Sequence, residues 1–222
     1  MYLYETHMHT HPVSACAMVS PQEQVSHYKS RGYVGIIVTD HFVNGNCGCP
    51  PKLTWEQKMR FFADGYEKAK AEGKKQGLDV FFGLEYTLDG SDFLIYGLTV
   101  EYLISQPGFA CLEIAELSSN VRNAGGYIAQ AHPYRDAYWV SNPEPVNPKF
   151  LDGLEVYNAS MPKKLNNRAL QFAKTHNLAQ QAGTDSHIIN TFPPKGISLK
   201  KRAESIHDII NALKSGQAEL VV

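Results

Sequence analysis

Short apolar runs typical of β-strands alternate with segments of helical periodicity along the whole chain. The run at residues 33–39 (YVGIIVT) is continuously apolar, as expected for a strand buried on both faces. The other strands predicted from such runs lie at residues 2–9, 79–86, 92–98, 127–131, 154–157 and 178–182. Strands that alternate with helices indicate an α/β fold with a mostly parallel sheet. Seven or so strands in this length favour a closed barrel over an open sheet.

The predicted helices begin and end at ordinary helix signals. Ser20 is the expected N-cap of the first helix, Pro21 occupies its first turn, and Gly32 ends it. Thr54 is the expected N-cap of a long helix that reaches residue 76. The remaining helices are predicted at residues 111–124, 163–175 and 203–215. No Gly-rich phosphate loop follows a strand, so the fingerprint of a Rossmann or P-loop fold is missing.

The composition is that of an ordinary globular protein and disfavours several functional classes. Of the 222 residues, 43% are hydrophobic and 19% are charged, which argues against disorder and predicts one domain over residues 1–222. The formal net charge of −1 gives no large positive field, so a nucleic-acid partner is not expected. The apolar runs are too short to span a membrane, and the first residues do not resemble a secretory signal. Four cysteines are too few for a disulfide scaffold, so we expect a cytoplasmic protein.

Side chains that commonly bind metals lie where the predicted strands end or begin. They are His7, His9, His41, Glu85, Asp92, His132, Asp185 and His187. In a parallel barrel the carboxyl ends of the strands converge on one opening, where such enzymes place their chemistry. The sequence therefore predicts that these distant side chains meet in one cavity.

His7 and His9 are expected on the same face of the first strand, because side chains alternate with a period of two. Two neighbouring imidazoles can chelate one divalent ion. The alternative is two polar residues on a half-exposed strand. Glu5 falls on the same face, and we expect its carboxylate to orient an imidazole ring from behind.

The other positions also have alternatives when each is taken singly. Asp40, which precedes His41, could merely cap the following turn, and His132 could be a hydrogen-bonded core histidine. Glu85 ends an apolar run, where a charge is costly unless it is paired or bound to a metal. Asp185 and His187 lie two residues apart in a predicted turn. It is improbable that these alternatives hold at all of the positions at once.

In combination, five short motifs resemble the PHP family, the metal-dependent phosphoesterases named for polymerase and histidinol phosphatase. They are H-M-H-T at residues 7–10, T-D-H at 39–41, G-L-E at 83–85, A-H-P at 131–133 and G-T-D-S-H at 183–187. They appear in the order that the family has. The resemblance implies a distorted (β/α)7 TIM-like barrel with two or three divalent metal ions at its opening, and the mixed ligands suit Zn, Mn or Fe.

The resemblance also implies how the ligands divide among the ions. A first site is formed by His7, His9, Glu85 and Asp185. Glu85 would bridge to a second site that His132 completes, and His41 and His187 would belong to a third site.

Two positions depart from the family pattern. Many members have a His where this chain has Asp92, which could still ligate a metal at the second site. The family often supplies a His or Asp to the third site from the loop after the first strand, and Cys16 lies nearest to that position. A Cys16 thiolate would favour zinc, whereas a buried, inert Cys16 is the alternative.

Arg135 is a candidate for binding the phosphate of a substrate. It follows His132 by three residues, and a guanidinium group forms forked hydrogen bonds with phosphate oxygens. Simple surface charge is the alternative. Glu155 and Asn158 end a predicted strand at the same opening, where they could orient substrate or ligands. The residues expected to carry catalysis are His7, His9, Glu85, His132, Asp185 and Arg135.

The expected activity is hydrolysis of a phosphomonoester of a small metabolite or nucleotide by a metal-activated water. A small phosphorylated substrate is therefore the expected partner. A catalytically silent metal-binding module is the main alternative. A nuclease and a phosphotyrosine phosphatase of the same family are further alternatives, and the near-neutral charge argues against the nuclease.

Overall fold

The structure is a computed structural model that describes residues 1–189 and 193–222. The strands are β1 (Tyr2–Met8), β2 (Gly35–Val38), β3 (Asp79–Leu88), β4 (Ser91–Tyr96), β5 (Tyr127–Gln130), β6 (Gly153–Asn158), β7 (Ala179–Gly183), β8 (Gly196–Leu199) and β9 (Glu219–Val221). The helices are α1 (Pro21–Ser30), α2 (Trp55–Gln76), α3 (Val100–Ser105), α4 (Ile114–Asn123), α5 (Lys163–Thr175) and α6 (Ile206–Lys214). Two short 3₁₀ turns lie at Phe109–Cys111 and Pro148–Phe150.

The strands form one sheet that curves into a nearly closed barrel. Their order is β7-β6-β5-β4-β3-β2-β1-β8-β9. Strands β1 and β7 are far apart in this order, yet the chain segments at their carboxyl ends are hydrogen-bonded to each other. The N–H of Asp185 donates to the carbonyl of His7 at 2.8 Å, and the N–H of His9 donates to the carbonyl of Ser186 at 3.0 Å. The predicted α/β barrel is confirmed.

The sheet is less parallel than the alternation of strands and helices predicts. Strands β1, β2 and β3 pair in parallel, as do β5, β6 and β7, but β4 is antiparallel to both of its neighbours. The cause is a tight turn at Asp89 and Gly90, which have φ angles of 50° and 80° and leave no room for a crossover helix. Strands β8 and β9 add two further antiparallel pairings. The reversal of β4 places its first residues, including Asp92, beside the carboxyl ends of the parallel strands.

The predicted starts of α1 and α2 are confirmed, and other boundaries differ. The side chains of Ser20 and Thr54 each accept a hydrogen bond from the backbone three residues on, as N-caps do. The helix predicted at residues 111–124 begins later, at Ile114, because a 3₁₀ turn occupies the preceding residues. The last helix is shorter than 203–215, since Ser205 caps it. The hydrophobic pattern of the sequence did not predict α3, β8 or β9.

An aromatic cluster fixes the chain where β2 ends. The buried ring of Phe42 lies 5.2 Å from that of Phe62 on α2, 5.7 Å from that of Phe109 and 6.1 Å from that of Tyr86 on β3. Because Phe42 follows His41 directly, this packing also fixes the backbone of that histidine.

A second cluster supports the first strand from below the barrel opening. Tyr4, Tyr96 and Tyr127 come from β1, β4 and β5 and pack with the apolar residues of α6. The hydroxyl of Tyr96 donates to the backbone carbonyl of Thr6 at 2.8 Å and accepts from the amide of Gln181, also at 2.8 Å. The part of β1 that leads to the two histidines is therefore held by buried hydrogen bonds. No helix among the described residues is long and apolar enough to cross a membrane.

Candidate metal centre

His7 and His9 present their imidazoles to the same point at the barrel opening. Both side chains are fully buried, and their Nε2 atoms lie 3.2 Å apart. This is the arrangement that the strand alternation predicts, and it excludes the alternative of two polar residues on a half-exposed strand.

The carboxylate of Glu85, near the end of β3, lies between the imidazole rings of four histidines. Its Oε1 atom is 3.2 Å from His7 Nε2 and 3.1 Å from His132 Nε2. Its Oε2 atom is 3.4 Å from His9 Nε2 and 2.7 Å from His41 Nδ1. Each carboxylate oxygen thus faces a different pair of imidazoles, which is the geometry that a bridging carboxylate requires.

Asp185 closes the same cluster from the turn after β7. Its Oδ1 atom lies 3.5 Å from His7 Nε2, 3.3 Å from His9 Nε2 and 3.4 Å from His187 Nδ1. Its backbone has a φ of 54°, and His132 has a φ of 27°, a region that residues other than glycine rarely adopt. Such backbone conformations cluster at functional sites, where the surrounding structure holds them in place.

The described residues contain three groups whose ligand atoms all lie within 4.8 Å of one another. The groups are His7, Glu85 and His132; His7, His9 and Asp185; and His9, His41 and His187. The first two share His7 and the last two share His9, so the groups form one continuous cluster. Five chain segments that are distant in sequence therefore meet at one place, as the positions at the strand ends predict.

Three atoms of this cluster are buried and lack a hydrogen-bond partner: Glu85 Oε2, Asp185 Oδ1 and His41 Nδ1. The His41 and Glu85 atoms are close to each other, but their geometry is not that of a hydrogen bond. Leaving a buried carboxylate oxygen unpaired is costly. Divalent cations would satisfy all three atoms, and imidazole and carboxylate are suitable donors for Zn, Mn or Fe, so the residues fit metal ions.

The electrostatics match a site built for positive charge. Burial raises the pKa of Glu85 and Asp185, but the neighbouring imidazoles, His41 and His7 for Glu85 and His7 for Asp185, outweigh it and hold both pKa values well below the ordinary range. Burial lowers the pKa of His41, but Glu85 outweighs it and raises that pKa to about 11. His9 has the opposite shift: burial and the charge of His41 lower its pKa to about 3. The carboxylates are thus ionised over the whole neutral range, as metal ligands must be.

Glu155 orients two of the histidines from behind. Its Oε1 atom accepts a hydrogen bond from His7 Nδ1 at 2.9 Å, and its Oε2 atom accepts from the N–H of His132 at 2.8 Å and from Asn158 Nδ2 at 2.9 Å. Donation from Nδ1 leaves the Nε2 lone pair of His7 free to point into the cluster.

The expectation that Glu5 orients an imidazole ring is wrong. Its Oε1 atom instead accepts hydrogen bonds from the backbone N–H groups of Thr6, His7 and Thr184. The carboxylate therefore ties β1 to the turn after β7, while the ring of His7 is held by Glu155.

Asp40 and Ser14 orient His9, a role that the sequence did not show. Asp40 accepts hydrogen bonds from the N–H and the hydroxyl of Thr10, both at 2.6 Å, and from the hydroxyl of Ser14 at 2.7 Å. Ser14 Oγ lies 3.0 Å from His9 Nδ1, and because its proton goes to Asp40 it accepts from that ring. Asp40 lies 26 residues from Ser14 and 30 residues from Thr10 in sequence, so no local signal marks its role.

Cys16 and Asp92 lie beside the cluster but belong to none of the three groups that the described residues form. Burial raises the pKa of Cys16, but hydrogen bonds with the imidazoles of His187 and His41 outweigh it and lower the pKa to about 6. Asp92 Oδ2 lies 3.7 Å from His132 Nε2, and Asp92 Oδ1 accepts from the hydroxyl of Thr87 at 2.6 Å. Each residue is therefore next to the site for which the sequence proposes it.

Arg135 is tied to the cluster and is not simple surface charge. Its Nη2 atom donates to Asp185 Oδ2 at 2.6 Å and to Ser160 Oγ at 3.1 Å. With His41, His187 and Cys16 it lines a cleft of about 610 Å³ above the cluster. A guanidinium group thus stands where a small anion would reach the buried histidines.

Comparisons with known proteins give structural matches only. No protein-family model matches the chain. No curated protein matches it in sequence. Among solved structures, a two-domain protein of Bacteroides vulgatus that contains a predicted PHP-like metal-dependent phosphoesterase is similar at a TM-score of 0.76 and 15% identity. The match covers 98% of this chain and 64% of that protein, so the chain spans less than two thirds of its length.

Two further structures share the fold. One, from Bifidobacterium adolescentis, is provisionally named a metal-dependent phosphoesterase. Its TM-score is 0.59 at 15% identity, and the match covers 98% of this chain and 97% of that chain. The other is an amidohydrolase of Chromobacterium violaceum with bound sulfate, at a TM-score of 0.58 and 13% identity, with 94% and 96% covered. The resemblance to PHP-type phosphoesterases is confirmed at the level of the fold.

Proposed function

We propose that the protein is a metal-dependent phosphoesterase that hydrolyses a phosphomonoester of a small metabolite or nucleotide with a metal-activated water. The observation that carries the proposal is the continuous cluster of three ligand groups, linked through His7 and His9 around Glu85. A chain that needed these residues only for stability would not bury three imidazoles, those of His7, His9 and His132, against unpaired carboxylate oxygens, because apolar packing costs less.

Two or three divalent ions would be held by this cluster. The first would be bound by His7, His9, Glu85 and Asp185, and Glu85 would bridge to a second with His132 and Asp92. His41, His187 and Cys16 would hold a third. Such ions supply an activated water and neutralise the charge that develops on the phosphoryl oxygens.

The residues of the chain itself supply orientation and charge. Glu155 and the Ser14–Asp40 pair hold the Nε2 atoms of His7 and His9 towards the cluster. Arg135 places a permanent positive charge at the cleft, and the hydrogen bonds that it makes to described residues use Nη2 alone. Its other N–H donors are therefore available to phosphate oxygens.

Amide-bond hydrolysis is the second candidate, because one of the similar structures is named an amidohydrolase. A guanidinium next to the cluster favours the phosphoester, since a neutral amide offers no anion to pair with it. The near-neutral net charge disfavours a nucleic-acid substrate. All four cysteines are free thiols, in agreement with the reducing cytoplasm that we propose as the compartment.

The test is an assay of phosphate release from a panel of phosphomonoesters, run on protein as purified, after chelation and after return of Zn, Mn or Fe. We expect activity that is lost on chelation, restored by metal, and absent in His9→Ala. His207→Ala is the matched control, because this imidazole is exposed on α6 outside the cluster. Activity that survives both chelation and His9→Ala would refute the proposal, and metal binding without any turnover would identify a silent module.

A further inference from the structure

We propose that the rim of the cleft formed by Tyr138 and Trp139 binds a planar aromatic ring in the leaving group of the substrate. This inference deepens the proposed function and rests on it for the position of the phosphate. It narrows the substrate from small phosphomonoesters in general to those that carry a ring system, either directly, as in an aryl phosphate, or beyond a sugar, as in a nucleoside monophosphate.

The first observation is the exposure of the two rings. The side chain of Tyr138 is 98% exposed and that of Trp139 is 55% exposed, although rings of this size usually bury most of their surface. The rings meet edge to face, with centroids 4.7 Å apart and planes at 86°. Two large aromatic surfaces in water beside a cleft are available to a ligand.

The second observation is that the segment carrying the rings is held in place. Ser141 donates from its hydroxyl to the carbonyl of Asp89 at 2.8 Å, which links the segment to the turn between β3 and β4. In the same turn, Gly90 allows the backbone to approach closely, because a Cβ atom there would collide with the carbonyl oxygen of Trp139. A site whose backbone is already fixed loses little entropy on binding.

The third observation is that the aromatic rim and the metal cluster share one cleft. Tyr138 and Trp139 line it together with Arg135, Asp92 and His41. Its volume of about 610 Å³ lies within the range of roughly 300 to 1,000 Å³ that is usual for small-molecule sites. A phosphate paired with Arg135 would leave the rest of the ester to run along this cleft towards the rim.

Stacking explains why a ring, and not another apolar group, is the occupant. An aromatic side chain binds a flat π-system over its whole face, whereas a flexible polyol offers hydroxyl groups that prefer water. The rim and the charged Arg135 line the same cleft, so a ligand with an anionic end and a flat apolar end matches both.

The kinetic test compares phenyl phosphate and adenosine monophosphate with glycerol 3-phosphate and ribose 5-phosphate. We expect the wild-type protein to prefer the ring-bearing pair, and Trp139→Ala to lose on the order of 10-fold in kcat/KM for that pair, as stacking energies imply. The other pair should be unchanged in Trp139→Ala. Tyr2→Ala is the control, because it removes an exposed ring at the end of β1 that lies opposite to His7. It should alter kcat/KM for neither pair. If only one of the two ring-bearing esters has a higher kcat/KM than the esters without a ring, that ester identifies which kind of ring fits.

A binding test separates this inference from the proposed activity. The chain has two tryptophans. The other one, Trp55, lies away from the cleft, where its indole N–H donates to the carbonyl of Leu103 at 2.8 Å. We expect adenosine monophosphate to quench the intrinsic tryptophan fluorescence and ribose 5-phosphate not to quench it. The quenching should be absent in Trp139→Phe when the same fraction of that variant is bound to ligand. This result supports the aromatic site even if no ester is hydrolysed. Hydrolysis without preference for ring-bearing esters, or quenching that persists when Trp139 is replaced by Ala, overturns it while leaving the phosphoesterase intact.

Discussion

Replacement of Glu155 by Gln tests whether the cluster is built to hold metal. Glu155 is fully buried and makes three hydrogen bonds, to His7 Nδ1, to the N–H of His132 and to Asn158 Nδ2. A glutamine keeps one acceptor oxygen for His7. It places an amide NH₂ against the other two groups, which are both donors.

The magnitude follows from those contacts. Mutating an outer partner of a metal-binding histidine weakens metal affinity by about 10- to 100-fold, which corresponds to about 1.4 to 2.7 kcal/mol. Each of the two donors that lose their acceptor adds about 1 to 3 kcal/mol of lost stability in the buried setting. We therefore expect Glu155→Gln to bind metal at least tenfold more weakly and to unfold at a lower temperature.

The assay is equilibrium competition for Zn²⁺ against a chelator of known affinity, with the melting temperature followed by circular dichroism in chelator. Glu5→Gln is the matched control, because Glu5 is equally buried and accepts its hydrogen bonds from three backbone N–H groups. Glutamine Oε1 can keep those bonds, so metal affinity should stay at the wild-type value. Equal affinity in wild type and Glu155→Gln, or an equal loss in both variants, would show that Glu155 does not act through the histidines.

Three further outcomes are expected. Arg135→Ala should raise KM for a phosphomonoester by about 10-fold or more, because a charged hydrogen-bond donor to phosphate is lost; unchanged kinetics with unchanged metal content would exclude the phosphate role. Cys16→Ser should lower the number of zinc ions retained after dialysis by one, measured by elemental analysis, whereas an unchanged count would make Cys16 a bystander. Phe42→Ala should cost about 3 to 5 kcal/mol in urea unfolding, because the centre of the aromatic cluster is removed; a loss below 1 kcal/mol would contradict its place in the core.

The sequence predicted where the candidate side chains lie better than it predicted the sheet. His7 and His9 could be placed on one face from strand alternation alone, and the motifs at the ends of β2, β3, β5 and β7 could be placed at one opening because parallel strands end together. These inferences need only local periodicity and one rule about barrels.

The direction of β4 could not be read in the same way. Asp92 begins its strand, whereas the other candidates follow theirs, and only the tight turn at Asp89 and Gly90 explains why it still reaches the opening. The short strands β8 and β9 carry too few residues for a periodicity to show, and the pairing of β8 with β1 joins segments that are far apart in the chain.

The residues that orient the histidines were the hardest to assign. Glu5 and Glu155 are both buried carboxylates near the ends of strands, and alternation favours Glu5 because it shares a face with His7. The structure assigns the ring contact to Glu155 instead, 148 residues away in sequence. Side-chain partners of this kind depend on the closure of the barrel, which no local pattern encodes.

We propose that His7, His9, Glu85, His132 and Asp185 surround shared cations. Anomalous scattering at the Zn, Mn and Fe absorption edges, measured on crystals of the protein as purified or after metal is returned, tests it most directly. We predict two or three peaks, with imidazole nitrogens at about 2.0 to 2.1 Å and Glu85 contacting two of the ions. Density free of any such peak after metal is supplied, or peaks located only away from these side chains, would contradict the account.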